Sequence, residues 1–193
     1  MRPLKHGYTN RTLADGTVVK KSYAGPDAAL RLRRERALLP HLQDQLPAPP
    51  VLGATATTLK LGFLAGTPGQ ELLDAGHAAE VMASCGKLLR RIQALTPPVR
   101  DLGTRRAGEV LVHGDFGPNN LLLDPGTFEA TAVVDWEFAH FGTPVEDLAW
   151  CEELRRFCER WEADGPGARQ WRERAAVTAA WDELPGVRPS SSH

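Results

Sequence analysis

LVHGDFGPNNLLLD, residues 111 to 124, sets a histidine, an aspartate and two asparagines inside an otherwise apolar, strand-like run. Gly114, Asp115, Gly117, Pro118, Asn119 and Asn120 all suit tight backbone turns, so a long loop between two buried strands accounts for them locally. The same residues also offer carboxylate and amide oxygens, the hard donors that phosphate-bound magnesium takes. The rest of the chain decides between the two readings.

Downstream, Leu121 to Leu123 and Ala130 to Val134 read as β runs joined by a Pro125-Gly126 turn, and Asp135 closes the second run. A loop followed by a hairpin folds back on itself. Asp115, Asn120 and Asp135 can therefore reach one volume, although twenty positions separate the two aspartates. Magnesium usually takes one or two protein oxygens and leaves the rest to phosphate and water, which suits Asn120 and Asp135. In phosphoryl transfer an aspartate beside the acceptor hydroxyl orients it and takes its proton, which suits Asp115.

Such chemistry also needs a cation on the phosphates. YTNRTLADGTVVKKSY, residues 8 to 23, reads as a hairpin around Asp15-Gly16 and ends on Lys20 and Lys21. Glu35 follows on a helical segment and can hold a lysine in place. Strand alternation sends Lys20 and Lys21 to opposite faces, so one of them enters the cleft. Lys20 is the preferred candidate.

The helical segment starts at Pro26 and Asp27, with Leu32, Leu38, Leu39 and Leu42 on its apolar face and Pro40 expected to disturb its last turn. A proline-rich connector leads to β runs at Val51 to Thr58 and Leu59 to Leu64, ended by Gly66, Pro68 and Gly69. Ala78, Val81, Met82, Cys85, Leu88, Leu89, Ile92 and Leu95 then follow helical spacing until Thr96-Pro97-Pro98. From Val145 the pattern is helical, broken at Gly165-Pro166-Gly167, with a frayed tail expected at 187–193. The pattern is α+β: a β-rich first lobe with one helix, residues 1–62, and a mostly helical second lobe, residues 63–193.

Composition excludes several classes. A hydrophobic fraction of 42% and a charged fraction of 24% describe a globular chain. The formal net charge of -1, with arginines interleaved among glutamates, gives no basic stripe for nucleic acid. Cys85, Cys151 and Cys158 lack Cys-x-x-Cys spacing and sit on apolar helical faces, which argues for core packing in a reducing cytoplasm. MRPLKHGYTN lacks the apolar core of a signal peptide, and no stretch has the length of a membrane span, so a cytoplasmic protein is expected.

HGDFGPNNLLLD followed by VVDWEFAHFGTPVEDLAW resembles the aminoglycoside phosphotransferase and choline kinase-like family, with weaker matches from HGYTN through DGTVVKK and RERALL to LGFLAGTPG. The resemblance implies a two-lobed protein-kinase-like fold. It implies a small-molecule kinase using Mg2+ and ATP or GTP on the hydroxyl of an aminoglycoside, amino sugar or amino alcohol. Carried over by position, Asp115 is the catalytic base, Asn120 and Asp135 are metal ligands, Lys20 lies on the phosphates and Glu35 is its partner. Gly7, Tyr8, Thr9 and Asn10 form the phosphate-covering turn, and Gly62, Phe63 and Leu64 offer backbone groups to the base. Asp147 braces the catalytic loop, which His113 also holds; Glu137 is either a partner of the metal ligands or a solvated carboxylate.

The chain departs from that family in a short lead-in to Gly7, a short loop between Leu95 and His113, Gln93 where many relatives have histidine, and Thr143 before Pro144 where aspartate is common. Glu146, Glu152, Glu153 and Glu159 either attract a cationic acceptor or form solvated helix faces. Two other readings share the motifs: a nucleotide-binding module without catalysis, and a protein kinase. The second is disfavoured by the lack of a distinct activation segment between Asp135 and Pro144.

Overall fold

A computed structural model describes residues 1–3, 10–25 and 27–149. Its first part is an antiparallel sheet of β1 (Arg2–Pro3), β2 (Arg11–Ala14), β3 (Val18–Ser22), β4 (Val51–Ala54) and β5 (Thr58–Gly62), in the spatial order β1-β2-β3-β5-β4. The β2–β3 hairpin pivots one residue later than expected. Asp15 N–H donates to Val18 O, so Gly16, at φ +88°, and Thr17 form the tip, while the Asp15 carboxylate accepts the Thr17 and Val18 N–H groups.

Helix α1 (Ala28–Leu42) buries the predicted Leu32, Leu38, Leu39 and Leu42, and with them Arg31 and Glu35. Pro40 does not end it: the helix runs on to Leu42. Two polar side chains on a buried helical stripe need partners, and those partners build the site.

The second part opens with β6 (Thr67–Pro68) and the short α2 (Gly69–Asp74), neither of which the sequence pattern revealed. Helix α3 (Ala78–Gln93) places Ala78, Val81, Met82, Cys85, Leu88, Leu89 and Ile92 in the core, as expected from their spacing. Burial raises the Cys85 thiol pKa to about 12, so this cysteine is packing and not chemistry.

Strand β7 (Val110–Val112) delivers the loop that carries Asp115 and pairs antiparallel with β10 (His140–Gly142), a strand hidden by the glycine and histidine within it. The expected hairpin is β8 (Leu121–Leu123) and β9 (Ala130–Val133), joined by β6 into a three-stranded sheet. Asp124 folds its turn by accepting the Gly126 and Thr127 N–H groups at 2.9 and 2.8 Å. One apolar core runs through both parts, from Leu32 and Leu59 to Leu111, Leu121 and the fully buried Trp136. No helix among the described residues is long and apolar enough to cross a membrane. Residues 146–149 are helical, at the start of the helix expected from Val145; Cys151, Cys158, the rest of the expected C-terminal helices and the tail lie outside the described residues.

Candidate functional site

Three segments bring the candidate residues together. Between β7 and β8 the chain makes the HGD loop. Gly114 takes φ +82°, and a Cβ there would lie 2.5 Å from Phe138 O, so glycine is required. The Asp147 carboxylate accepts the His113 and Gly114 N–H groups at 2.9 Å each, one on each oxygen. His113, fully buried, accepts the Asp115 N–H on Nδ1 at 3.3 Å and stands with Nε2 3.0 Å from Val134 O, which fixes Nε2 as the protonated nitrogen. Its ring rests on Trp136, centroids 4.5 Å apart.

The loop then closes through a 3-10 turn at Pro118–Asn120. Asn120 Nδ2 donates to Asp115 O at 2.7 Å and to Asp115 Oδ2 at 3.0 Å. These bonds orient the Asn120 amide and leave its carbonyl oxygen as the other end.

Asp135 follows β9 with a left-handed backbone, φ +70° and ψ +52°, uncommon for a residue with a side chain. The twist turns its carboxylate toward β3, where it meets Lys21 Nζ. Lys21, not Lys20, is the lysine of the site. Its Nζ lies 2.6 Å from Glu35 Oε2 and 3.3 Å from Glu137 Oε2 as well. Lys20, one residue earlier on β3, faces the other side of the sheet across from Lys60.

The electrostatics follow from burial. Burial works against the Lys21 charge, but Glu35, Asp135, Tyr23 and Glu137 outweigh it and hold its pKa well above 10.5. Burial raises Glu35 above its usual 4.5, with Lys21 opposing the rise and Asp135 adding to it. Tyr23, its hydroxyl on Glu35 Oε2, is pushed upward first by burial and then by Glu35, and it remains a donor.

Glu137 is fully buried and not solvated. It accepts Asn10 Nδ2 at 2.6 Å and Arg31 Nη1 at 3.0 Å. Asn10 is itself buried and spends its side chain on Glu137 and Arg31, so it does not present that side chain to the cleft; Gly7, Tyr8 and Thr9 lie outside the described residues. Sequence reasoning missed Tyr23 and Arg31. Both carried a signal: Tyr23 shares the β3 face of Lys21 by alternation, and Arg31 lies one helical turn before Glu35.

Within this cluster Glu35, Asp135 and Glu137 face Lys21 and Arg31, three carboxylates against two cations. The carboxylate oxygens of Glu35, Asp135 and Glu137 lie within 4.8 Å of one another, and Asp135 keeps 25% side-chain exposure toward the cleft. An excess of hard oxygen and negative charge that includes the partly exposed Asp135 carboxylate, in a cleft that Asn120 also lines, fits the chemistry of a magnesium ion.

The cleft holds about 400 Å³. Val19, Leu61, Leu64, Leu122 and Val134 supply apolar lining, and Lys21, Glu35, Asn120 and Asp135 polar lining. Gly62 and Phe63 form its wall, but their N–H groups are taken by Pro50 O at 2.8 Å and Thr17 O at 2.9 Å.

The Glu146 carboxylate, 41% exposed, holds His140 Nε2 at 2.8 Å and accepts the Thr143 N–H at 2.6 Å. Gln93 donates to Pro144 O at 2.8 Å and anchors the same turn. Glu152, Glu153 and Glu159 lie outside the described residues.

The sequence pattern of the phosphotransferase enzyme family matches residues 1–110 and 105–189. Acyl-CoA dehydrogenase family member 11 of Rattus norvegicus is 43% identical over 51 residues, 26% of this chain and 6% of that protein, so the match spans a small part of that curated relative. An aminoglycoside-3'-phosphotransferase of type VIII superposes with a TM-score of 0.66 at 19% identity, over 99% of this chain and 87% of that one. Macrolide 2'-phosphotransferase MphH of Brachybacterium faecium superposes with a TM-score of 0.59 at 21% identity, over 97% and 78% of the two chains. These likenesses identify the fold as the two-lobed, protein-kinase-like α+β architecture.

Proposed function

This chain belongs to the phosphotransferase enzyme family, and on that premise we propose that it is a magnesium-dependent kinase moving the γ-phosphoryl group of ATP to a hydroxyl of a small molecule. The observation that carries the reading is the meeting of Lys21, Glu35 and Asp135 in the wall of a cleft that Asn120 and several aliphatic side chains also line. A planar base fits between aliphatic side chains, and a polyphosphate fits against an ammonium and a metal-binding carboxylate. In this reading residues 1–62 carry the nucleotide side of the cleft and residues 63–193 the catalytic side.

The residues divide the work as follows. Lys21, held by Glu35, neutralises phosphate charge. Asp135 and the Asn120 carbonyl would hold a magnesium ion, which would supply positive charge against that of the phosphates. Asp115 accepts the proton of the acceptor hydroxyl, and Asn120 keeps its carboxylate aimed by donating to Oδ2. Asp147 fixes the loop backbone so that Asp115 does not move during the transfer. Gly62, Phe63 and Leu64 present backbone groups to the base. An aminoglycoside, amino sugar or amino alcohol is the proposed acceptor class.

A transfer screen tests this, with purified protein, magnesium and ATP or GTP across aminoglycosides, amino alcohols, sugars and nucleosides. Phosphorylation of at least one acceptor, abolished by Asp115→Ala while nucleotide affinity persists, is expected. Nucleotide binding without turnover on the whole panel would mark a non-catalytic module instead.

A further inference from the structure

Glu137 has no part in the division of work above, yet its carboxylate is as heavily engaged as that of Glu35, with three donors each. It is fully buried, and its two oxygens receive donors from three elements: Asn10 at the foot of β2 at 2.6 Å, Lys21 of β3 at 3.3 Å and Arg31 of α1 at 3.0 Å. Its backbone carbonyl takes a fourth, Arg34 Nη1 at 3.2 Å. It stands two residues beyond Asp135, on the 3-10 turn Trp136–Phe138, whose first N–H reaches Glu35 Oε1 at 3.3 Å.

Resting on the reading of the cleft as a nucleotide and magnesium site, we propose that Glu137 is a positioning residue. Its carboxylate locks β2, β3 and α1 to the segment that carries Asp135, so that the Lys21 ammonium and the Asp135 carboxylate keep their register across the cleft.

Two physical arguments support it. A buried ion pair contributes little net stability compared with apolar side chains of the same volume, so what this network supplies is geometry. Lys21 is also shared among Glu35, Asp135 and Glu137. Once Asp135 serves the metal, Glu35 and Glu137 are the carboxylates that still fix the ammonium. Without Glu137, Arg31 and Asn10 lose their common acceptor and the sheet can shift relative to Asp135.

The test measures affinity for ATP with magnesium by calorimetry, kcat and KM for ATP, and the thermal midpoint of the nucleotide-free full chain. Glu137→Gln keeps the shape but removes the charge. It is expected to weaken magnesium-ATP binding about 10–100-fold, the size seen when partners of metal-site residues are lost, with kcat at saturating nucleotide changed less than about 3-fold. Asn10→Asp sets a second carboxylate against Glu137 and is expected to be at least as damaging. The Asn10→Asp, Glu137→Gln pair restores one donor, one acceptor and the total charge, and is expected to recover most of the affinity. Should Glu137→Gln not fold, Asn10→Ala cuts a single bond of the network and is expected to raise KM for ATP several-fold.

Affinity of the Glu137→Gln protein within about 2-fold of wild type would overturn the proposal, as would a loss that the paired exchange leaves unrepaired. If Glu137→Gln does not fold, an unchanged KM in Asn10→Ala overturns it. Failure of the wild-type chain to bind either ATP or GTP with magnesium is a separate result, and it removes the nucleotide reading itself.

Discussion

The Asp147 carboxylate straddles the His113–Gly114 peptide, with one oxygen 2.9 Å from each backbone N–H. Asp147 is 1% exposed, so no water replaces either bond. Asp147→Asn turns one acceptor into a donor facing a donor. Leaving that buried group unsatisfied costs about 1–3 kcal/mol, and each kcal/mol lowers the midpoint of a chain this size by about 2–4 °C. Thermal unfolding of the variant checks the value. A larger fractional loss of kcat than of nucleotide affinity is expected, because the bonds hold the Asp115 loop.

Substitution of the two adjacent lysines separates them. Lys21→Met is expected to lower kcat/KM for ATP by at least about 100-fold, since it removes the cation proposed to neutralise phosphate charge. It also leaves Glu35 and Glu137 without their shared ammonium, and breaking buried pairs of this kind costs about 3–5 kcal/mol. Lys20→Met, on the opposite face, is expected to stay within about 3-fold of wild type. Steady-state kinetics and urea unfolding of both proteins give the comparison, and equal losses would contradict the assignment of Lys21.

Gly114→Ala meets two obstacles at once. Its φ of +82° suits glycine, and the new methyl would sit 2.5 Å from Phe138 O. Backbone strain alone amounts to about 1–3 kcal/mol, and the clash adds to it. Denaturant unfolding should show a loss beyond the strain value. Because Phe138 adjoins Glu137, KM for ATP is expected to rise in the same variant.

Acid sensitivity at the β10 turn has a calculable sign. The bond from His140 and those from Thr143 hold the Glu146 carboxyl below its usual 4.5, against a smaller opposing effect of burial. The unfolded chain thus binds this proton more tightly than the folded chain does. The stabilising contribution is complete above 4.5 and is lost as pH falls through the lower folded value. Glu146→Gln is expected to flatten the dependence of stability on pH in that acid window, measured by urea unfolding from pH 6 to pH 3. An unchanged slope would show that the His140–Glu146 contact carries no linkage.

The elements with strong periodicity were legible before any coordinates: α1 and α3 bury the leucines, valines and cysteine that their three-and-four spacing selects. The β8–β9 hairpin was legible from its turn chemistry. Short pieces were not. β6, α2 and β10 have two, six and three residues, too few to display a period, and tertiary pairing defines them. In the site, motif spacing brought out Asp115, Asn120 and Asp135. The choice of Lys20 failed because the two lysines were weighed without Tyr23, whose buried ring two residues on marks the inward face of β3. Arg31 stayed hidden, and the choice between the two readings of Glu137 stayed open, for a different reason. Charged residues on a helix and in a loop are usually solvated, and only the fold shows that they meet each other.

The connector before β4 lends its Pro47 carbonyl to the Val133 N–H at 2.8 Å, and Asn10 and Arg31 reach Glu137 across 127 and 106 positions. Contacts this distant along the chain carry a large loop-closure cost before they are rewarded, which raises contact order and slows folding. During synthesis, the sheet and α1 leave the ribosome with the acceptor for Arg31 and Asn10 still untranslated. The polar lining of the cleft therefore cannot close until residue 137 has emerged, and until then the Arg31 guanidinium and the Asn10 amide find in water the partners that Glu137 later supplies.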